Sequence, residues 1–327
     1  MVEILLCFSA LTVQAKAAAA DSILMMFWNL ENFFDYADEG GGTSDAEFSP
    51  EGARRWTPSK FYAKCSAIAK SVFWTADRYG GMPDIIGVAE VENRGVLTRL
   101  LYSTNLSKHG YSIIHYDSND HRGIDVALLW KKDKLKCKGS KNCRIDNMRT
   151  RDILLTEFET ESGDNLAVVV VHLPSKYGGG KTAWKRELAA ERLCSVVDSV
   201  MGNGTRHVVV MGDFNDVASE PSLTNFLGAR THCDSCKLMN LSADTEDFSY
   251  KYHGVWNTID HIIVTRGVCA KGRPAFSVVK RSFMLEPDDR NTGMKPRRTY
   301  LGRRYNVGDD GVGGISDHLP VMIKVAY

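Results

Sequence analysis

Residues 207–216 read His207-Val208-Val209-Val210-Met211-Gly212-Asp213-Phe214-Asn215-Asp216. Three valines and a methionine make a short apolar run of the kind that is buried on both faces of a sheet. Gly212 ends the run, and acid and amide side chains follow at once. The stretch reads as a strand that delivers polar groups at its end, and the pattern recurs along the chain. Asn29 follows Met25-Met26-Phe27-Trp28, Glu90 follows Asp84-Ile85-Ile86-Gly87-Val88-Ala89, and His172 follows the valines at 168–171. Asp260 precedes Ile262-Ile263-Val264, and Asp317-His318 precedes the last strand-like run. Strand ends on a rigid scaffold can hold convergent side chains to the fraction of an ångström that catalysis requires.

Strand-like runs, rich in β-branched and aromatic residues and bounded by Gly, Asp and Asn, cover 23–28, 85–91, 111–115, 124–130, 153–158, 167–171, 207–211, 259–264 and 321–325. Helical spacing is rarer. Between residues 57 and 79, Phe61, Cys65, Ile68 and Val72 recur three and four apart, with Thr57-Pro58 as cap and first turn and Gly80-Gly81 as the stop. Between residues 182 and 201 a second stripe runs through Ala189, Leu193, Val196 and Val200, ending at Gly202. Many strands and few long helices, without regular βα alternation, predict an α+β layered sandwich. No linker, low-complexity tract or short repeat divides the chain, so residues 21–327 are expected to form a single domain.

Composition sets the limits. Of 327 residues, 43% are apolar and 25% charged, which excludes a disordered chain, a collagen-like fibre and a coiled coil. A net charge of +1 gives no bulk attraction for polyanions, so phosphate binding must come from a local patch. Near the start, Ile4-Leu5-Leu6-Cys7-Phe8-Ser9-Ala10-Leu11-Thr12-Val13 is too short to span a bilayer but suits the apolar core of a secretory signal. Ala15-Lys16-Ala17 and Ala17-Ala18-Ala19 supply small-residue cleavage choices, although Glu3 stands where basic residues usually precede such a core. Residues 1–20 are therefore expected to be a signal peptide, and the mature protein secreted or periplasmic, with no membrane span. Of eight cysteines, seven remain without Cys7. In an oxidising compartment, Cys137 with Cys143 and Cys233 with Cys236 can each close a small loop. The Cys233-x-x-Cys236 pair lacks the second pair or H-x₃₋₅-H partner of a zinc site. The glycines at 40–42 and 178–180 lack the Lys-Ser/Thr ending of a phosphate-binding loop.

Taken singly, each polar strand end has an ordinary explanation: a turn cap, a surface charge, a satisfied histidine. Together they are complete for one task. Acid and amide oxygens suit a hard cation such as Mg²⁺, with Mn²⁺ or Ca²⁺ as alternatives. Two histidines offer proton transfer and charge stabilisation. The combination describes metal-assisted hydrolysis of a phosphate ester.

Six strings carry a resemblance: Trp28-Asn29-Leu30-Glu31-Asn32, Ile86-Gly87-Val88-Ala89-Glu90-Val91-Glu92-Asn93, Val171-His172-Leu173-Pro174-Ser175, Gly212-Asp213-Phe214-Asn215-Asp216, Ile259-Asp260-His261-Ile262 and Ser316-Asp317-His318-Leu319-Pro320-Val321. In this order they resemble the successive motifs of the endonuclease/exonuclease/phosphatase family, from about residue 23 to the end. The resemblance implies a four-layer αββα sandwich of two packed mixed β-sheets flanked by helices, with the active site at one end of the sheets. It implies Glu90 as ligand of the catalytic divalent metal with Asn29 and Asp317 close by, and Asp213 and Asn215 positioning the attacking water and scissile phosphate. His318, paired with Asp260, would be the general base, and His172 would stabilise the transition state or protonate the leaving oxygen. The division of roles between the two histidines stays open.

The substrate is less legible. Lys295-Pro296-Arg297-Arg298-Thr299-Tyr300-Leu301-Gly302-Arg303-Arg304 holds five basic residues in ten. Arg298 there can grip a flanking phosphate, with Tyr300 or Tyr305 stacking on a ring, and Lys176 and Tyr177 can extend the patch. Asp288, Asp289, Asp309 and Asp310 dilute it. Met211 and Asp216 stand where inositol polyphosphate 5-phosphatases resemble one another in Trp and Arg, and Thr258-Ile259-Asp260-His261 replaces their Trp-Cys-Asp-Arg, which argues against that branch. No apolar membrane-engaging hairpin of a sphingomyelinase stands out. The reading that remains is an exported bacterial-type endonuclease acting on nucleic acid. A phosphatase or phosphodiesterase of a small-molecule, sugar or lipid phosphate is the alternative. A non-catalytic binding module is the rival of another class, disfavoured because every expected position is filled. No obligate protein partner is evident.

Overall fold

A strand with both faces buried must lie between layers, and the first strand is of that kind: in SILMMFWNLENF only Ser22 and Asn32 are not buried. The computed structural model describes residues 22–37, 42–231, 236–288, 291, 293–299 and 314–326. The expected export segment at 1–20, Cys233, Tyr300 and Tyr305 lie outside the described residues.

The chain runs through β1 (Ser22–Phe33), α1 (Pro58–Tyr79), β2 (Ile85–Val91), α2 (Arg94–Tyr102), β3 (Tyr111–His115), β4 (Asp125–Lys131) and β5 (Leu135–Cys143). It continues through β6 (Ile153–Thr160), β7 (Asn165–His172), α3 (Ala183–Gly202), β8 (His207–Asp213), β9 (Ala229–Arg230) and β10 (Leu238–Asn240). The last elements are β11 (Tyr250–Tyr252), β12 (Val255–Asn257), β13 (Asp260–Thr265), β14 (Ser277–Val278), β15 (Leu285–Pro287), β16 (Met294–Pro296) and β17 (Val321–Ala326). One mixed sheet has the order β14-β17-β1-β2-β4-β3 and the other β5-β6-β7-β8-β13-β10-β9, with hairpins β11-β12 and β15-β16 beside them.

Alternation along β7 and β8 shows how the layers form. Val168, Val170, Val209 and Met211 join the core shared with the first sheet, while Val169, Val171, Val208 and Val210 join Ala189, Leu193, Val196 and Val200 of α3. Side chains of successive strand residues point to opposite faces, so one apolar run serves two cores. The outer face of the first sheet is covered by α1 and α2 through Phe61, Cys65, Ile68, Val72, Val96 and Leu97. The result is the expected α+β sandwich of two mixed sheets between helices. Thr57 caps α1 by accepting from the Lys60 N–H, and Gly80 ends it in the left-handed conformation. Among the described residues no helix is long and apolar enough to cross a membrane.

The expected small loop between Cys137 and Cys143 does not exist. Both residues lie on the single strand β5 and both thiols are free. Six residues of extended chain span about 20 Å, far beyond disulfide reach.

Candidate active site

Registers of the second sheet put three of the polar side chains side by side. His172 of β7 pairs across from Asp213 of β8, and Asp213 pairs across from Asp260 of β13. In the first sheet the parallel pairing sets Asn29 of β1 opposite Ala89 of β2, with Glu90 next. At that end both strands break register: β1 between Asn29 and Phe33, β2 between Ala89 and Val91. Bulges of this kind re-aim side chains. Glu31, Asn32, Glu90 and Asn215 all take positive φ, at 46°, 52°, 59° and 53°. Left-handed non-glycine backbone costs on the order of 1–3 kcal/mol per residue and concentrates where function demands it.

Asn29 links the sheets, donating Nδ2 to Asp213 Oδ2 at 3.0 Å while its Oδ1 accepts the Glu31 N–H at 2.9 Å. The Asp213 Oδ1 accepts the Asn215 N–H at 2.8 Å, and the Asn215 amide donates to the Leu173 carbonyl at 3.0 Å. His318 donates Nδ1 to Asp260 Oδ2 at 2.8 Å, and Ser249 holds the same oxygen at 2.5 Å. That arrangement directs His318 Nε2 into the cluster, 3.7 Å from Asp213 and 3.9 Å from Asp317. The Tyr250 ring packs on the His318 imidazole with centroids 4.6 Å apart. His172 places Nε2 3.4 Å from Asp213 Oδ2, and its buried Nδ1 has no hydrogen-bond partner among the described residues.

Charge separates the two histidines. Burial, then the Arg151 and Arg122 guanidiniums, push His172 well below its ordinary value, so it is neutral at pH 7. Burial alone would lower His318 too, but the Asp260 and Asp213 carboxylates overcome it and hold His318 well above its ordinary value. Burial lifts Asp213 to about 7, with the Asp260 charge adding to the rise against the pull of His318. Burial would raise Glu90 as well, but Arg122, the Asn32 N–H and His318 outweigh it and keep Glu90 below its ordinary value. Burial raises Asp317, and the Glu90 and Asp213 charges add to the rise against His318 and Arg298.

Glu90, Asp317 and Asn29 thus bring oxygen donors to a site crowded with negative charge, which fits a hard divalent cation. Asp213, Asp260 and His318 also bring ligand atoms within 4.8 Å of one another, with His318 Nδ1 engaged by Asp260.

Of the residues expected at the substrate, Arg298 reaches the cluster, with Nη2 3.3 Å from Asp317. Lys176 turns to Asp216 at 3.1 Å and Glu220 at 2.8 Å, and Tyr177 is 93% exposed. Tyr300 lies outside the described residues. Several residues of the site were not read from the sequence. Glu31 is two along from Asn29, within the quoted string, but the bulge there takes it out of strand alternation. Arg122 contacts Glu90 and Asn32, and Arg151 donates to the His172 and Leu173 carbonyls and to Asp120. Both precede strands, whereas most of the residues sought were at strand ends. A groove of about 850 Å³ near Lys70, Trp74 and Tyr102 shares no residue with the cluster.

No curated protein matches the sequence. Solved structures share the fold. An endonuclease/exonuclease/phosphatase family protein from Bacteroides thetaiotaomicron aligns with TM-score 0.60 at 14% identity, over 94% of this chain and 96% of that one. A mannosyl-6-phosphatase from the same organism aligns with TM-score 0.56 at 15% identity, over 93% and 100%. D. rerio TDP2 complexed with a single-strand DNA product aligns with TM-score 0.54 at 13% identity, over 94% and 99%. The model of the endonuclease/exonuclease/phosphatase family matches residues 24–327, and the chain belongs to that family.

Proposed function

We propose that the chain is a Mg²⁺-dependent phosphoesterase, one catalytic domain over residues 21–327, that cleaves phosphodiester bonds of nucleic acid. The observation that carries the reading is the Asp260–His318 pair aimed at Asp213 where the ends of two sheets meet. Asp260 fixes the His318 tautomer and leaves Nε2 to take a proton from the attacking water. Asp213 and Asn215, held by their mutual turn, orient that water and the phosphate. Neutral His172 donates to a phosphoryl or leaving oxygen, a hydrogen bond that gains strength as charge develops. Glu90, Asp317 and Asn29 would hold the cation, which when bound neutralises charge on the phosphate oxygens.

Support for a nucleic-acid substrate is local. The segment after His172 carries no acidic residue between 173 and 186 and exposes Tyr177 and Trp184, 93% and 52%, beside Lys181 and Lys185. Aromatic faces interleaved with cations suit stacked bases and their phosphates. The D. rerio TDP2 relative, with its DNA product, has the same fold. One observation favours a small phosphomonoester instead. Lys176 and Lys295 are already paired, with Glu220 and Glu286, which shortens any track for a long polyanion.

Conversion of supercoiled plasmid to nicked circle by the purified protein with Mg²⁺ tests the choice, with EDTA and His318→Ala as controls. Nicking that both controls abolish supports the nuclease. Absent nicking with metal-dependent release of phosphate from a sugar phosphate supports the second reading. Residues 1–20 are proposed to be removed on export to the periplasm or medium, which N-terminal sequencing of the recovered protein tests.

A further inference from the structure

The bulged tip of β1 is clamped by a segment almost 270 residues away in sequence. Glu31 Oε1 accepts from Arg298 Nε at 2.8 Å and lies 2.7 Å from Nη2, and Glu31 Oε2 accepts the Thr299 N–H at 2.6 Å. Lys64, fully buried in α1, donates to the Glu31 carbonyl and the Thr299 hydroxyl. The Ile315 and Ser316 N–H groups donate to the Arg297 carbonyl at 2.8 and 3.1 Å, just ahead of Asp317. Arg298 is thereby aimed between two carboxylates, Glu31 and Asp317, while 54% of its side chain stays exposed.

We infer that Arg298, and not a second metal ion, supplies the second positive charge to the reacting phosphate, so that the site works with a single divalent cation. The inference rests on the phosphoesterase reading above. Both Glu31 oxygens are committed to Arg298 and Thr299, and withdrawing the guanidinium would strand a buried carboxylate. Nε and Nη2 are occupied, which among the described residues leaves the Nη1 donors of a rigid, planar fork for an anion.

Calorimetric titration of the full chain with Mn²⁺, followed by inorganic phosphate at one equivalent of Mn²⁺, tests this. One Mn²⁺ per chain is expected. Arg298→Ala should weaken phosphate at least tenfold, and Arg298→Lys, which keeps the charge without the fork, should fall between. Circular dichroism checks that both variants are folded. Two Mn²⁺ per wild-type chain, or a loss under tenfold in Arg298→Ala, would overturn the inference and leave the phosphoesterase reading intact. Absence of any Mn²⁺ binding would overturn both.

Discussion

His318 and His261 have opposite titration behaviour, and the cause in each case is the immediate surroundings. The Asp260 and Asp213 carboxylates lift His318, so its base form grows in as pH rises. His318→Ala is expected to lower kcat by about 10²–10⁴-fold. Asp260→Asn should move the acid limb of the kcat profile to lower pH, because the charge that raises the imidazole is gone; an unmoved limb would show that the pair does not govern proton transfer. His261 is pushed down to about 4 by burial. Its Nε2 donates to the Asp216 carbonyl, and Nδ1 accepts from the Asn240 amide, so the neutral ring is fully used. The unfolded chain takes up this proton near pH 6.5 and the folded one only near 4. Stability from the neutral ring is therefore complete above pH 6.5 and falls by about 3 kcal/mol as pH drops to 4. Urea melts should show the stability gap between wild type and His261→Gln narrowing over that window.

Strand ends do the positioning, and at two glycines the closeness of approach can be measured. A Cβ on Gly212 would meet the Val171 carbonyl oxygen at 2.3 Å, between β7 and β8, whereas one on Gly87 would meet the Met211 sulfur at 2.8 Å across the sheets. Backbone cannot retreat and a methionine can. Gly212→Ala is expected to cost about 3 kcal/mol or more and to depress activity by parting His172 from Asp213, while Gly87→Ala costs about 1 kcal/mol. Thermal melts that ranked the two the other way would contradict the packing argument. The β5 strand teaches a related point: cysteine spacing suggested a closed loop, but chain direction between the residues decides reach, and an extended strand holds Cys137 and Cys143 apart.

The sheets act as one body because they share a core. Trp130 of the first and Phe158 of the second pack with centroids 5.3 Å apart, both buried. Unfolding is expected to be a single cooperative transition, with far-UV and tryptophan signals coincident. Phe158→Ala, which opens a cavity between the sheets, should lower stability by about 3–5 kcal/mol without splitting the transition. Two separated transitions would show that the sheets fold independently.

Sequence alone determined β1–β4, β6–β8, β13 and β17, the helical stripes of Phe61–Cys65–Ile68–Val72 and Ala189–Leu193–Val196–Val200, and the polar groups at strand ends, while β5 and the two- and three-residue strands were not read from it. Those signals are local: the 2.0 and 3.6 residue periods of buried faces are written within a dozen neighbours. Family motifs extended that reading to the order of layers. Which polar groups meet was decided only by the tertiary structure. Glu31, Lys64 and Arg298 are far apart in the chain, and their pairing exists because burial of one carboxylate requires compensating charge from wherever the topology brings it. Lys176 shows the converse, an exposed-looking cation that the fold gives to Asp216 and Glu220. Periodicity is a property of short chain segments, whereas desolvation and charge balance belong to the assembled site, and these set its chemistry.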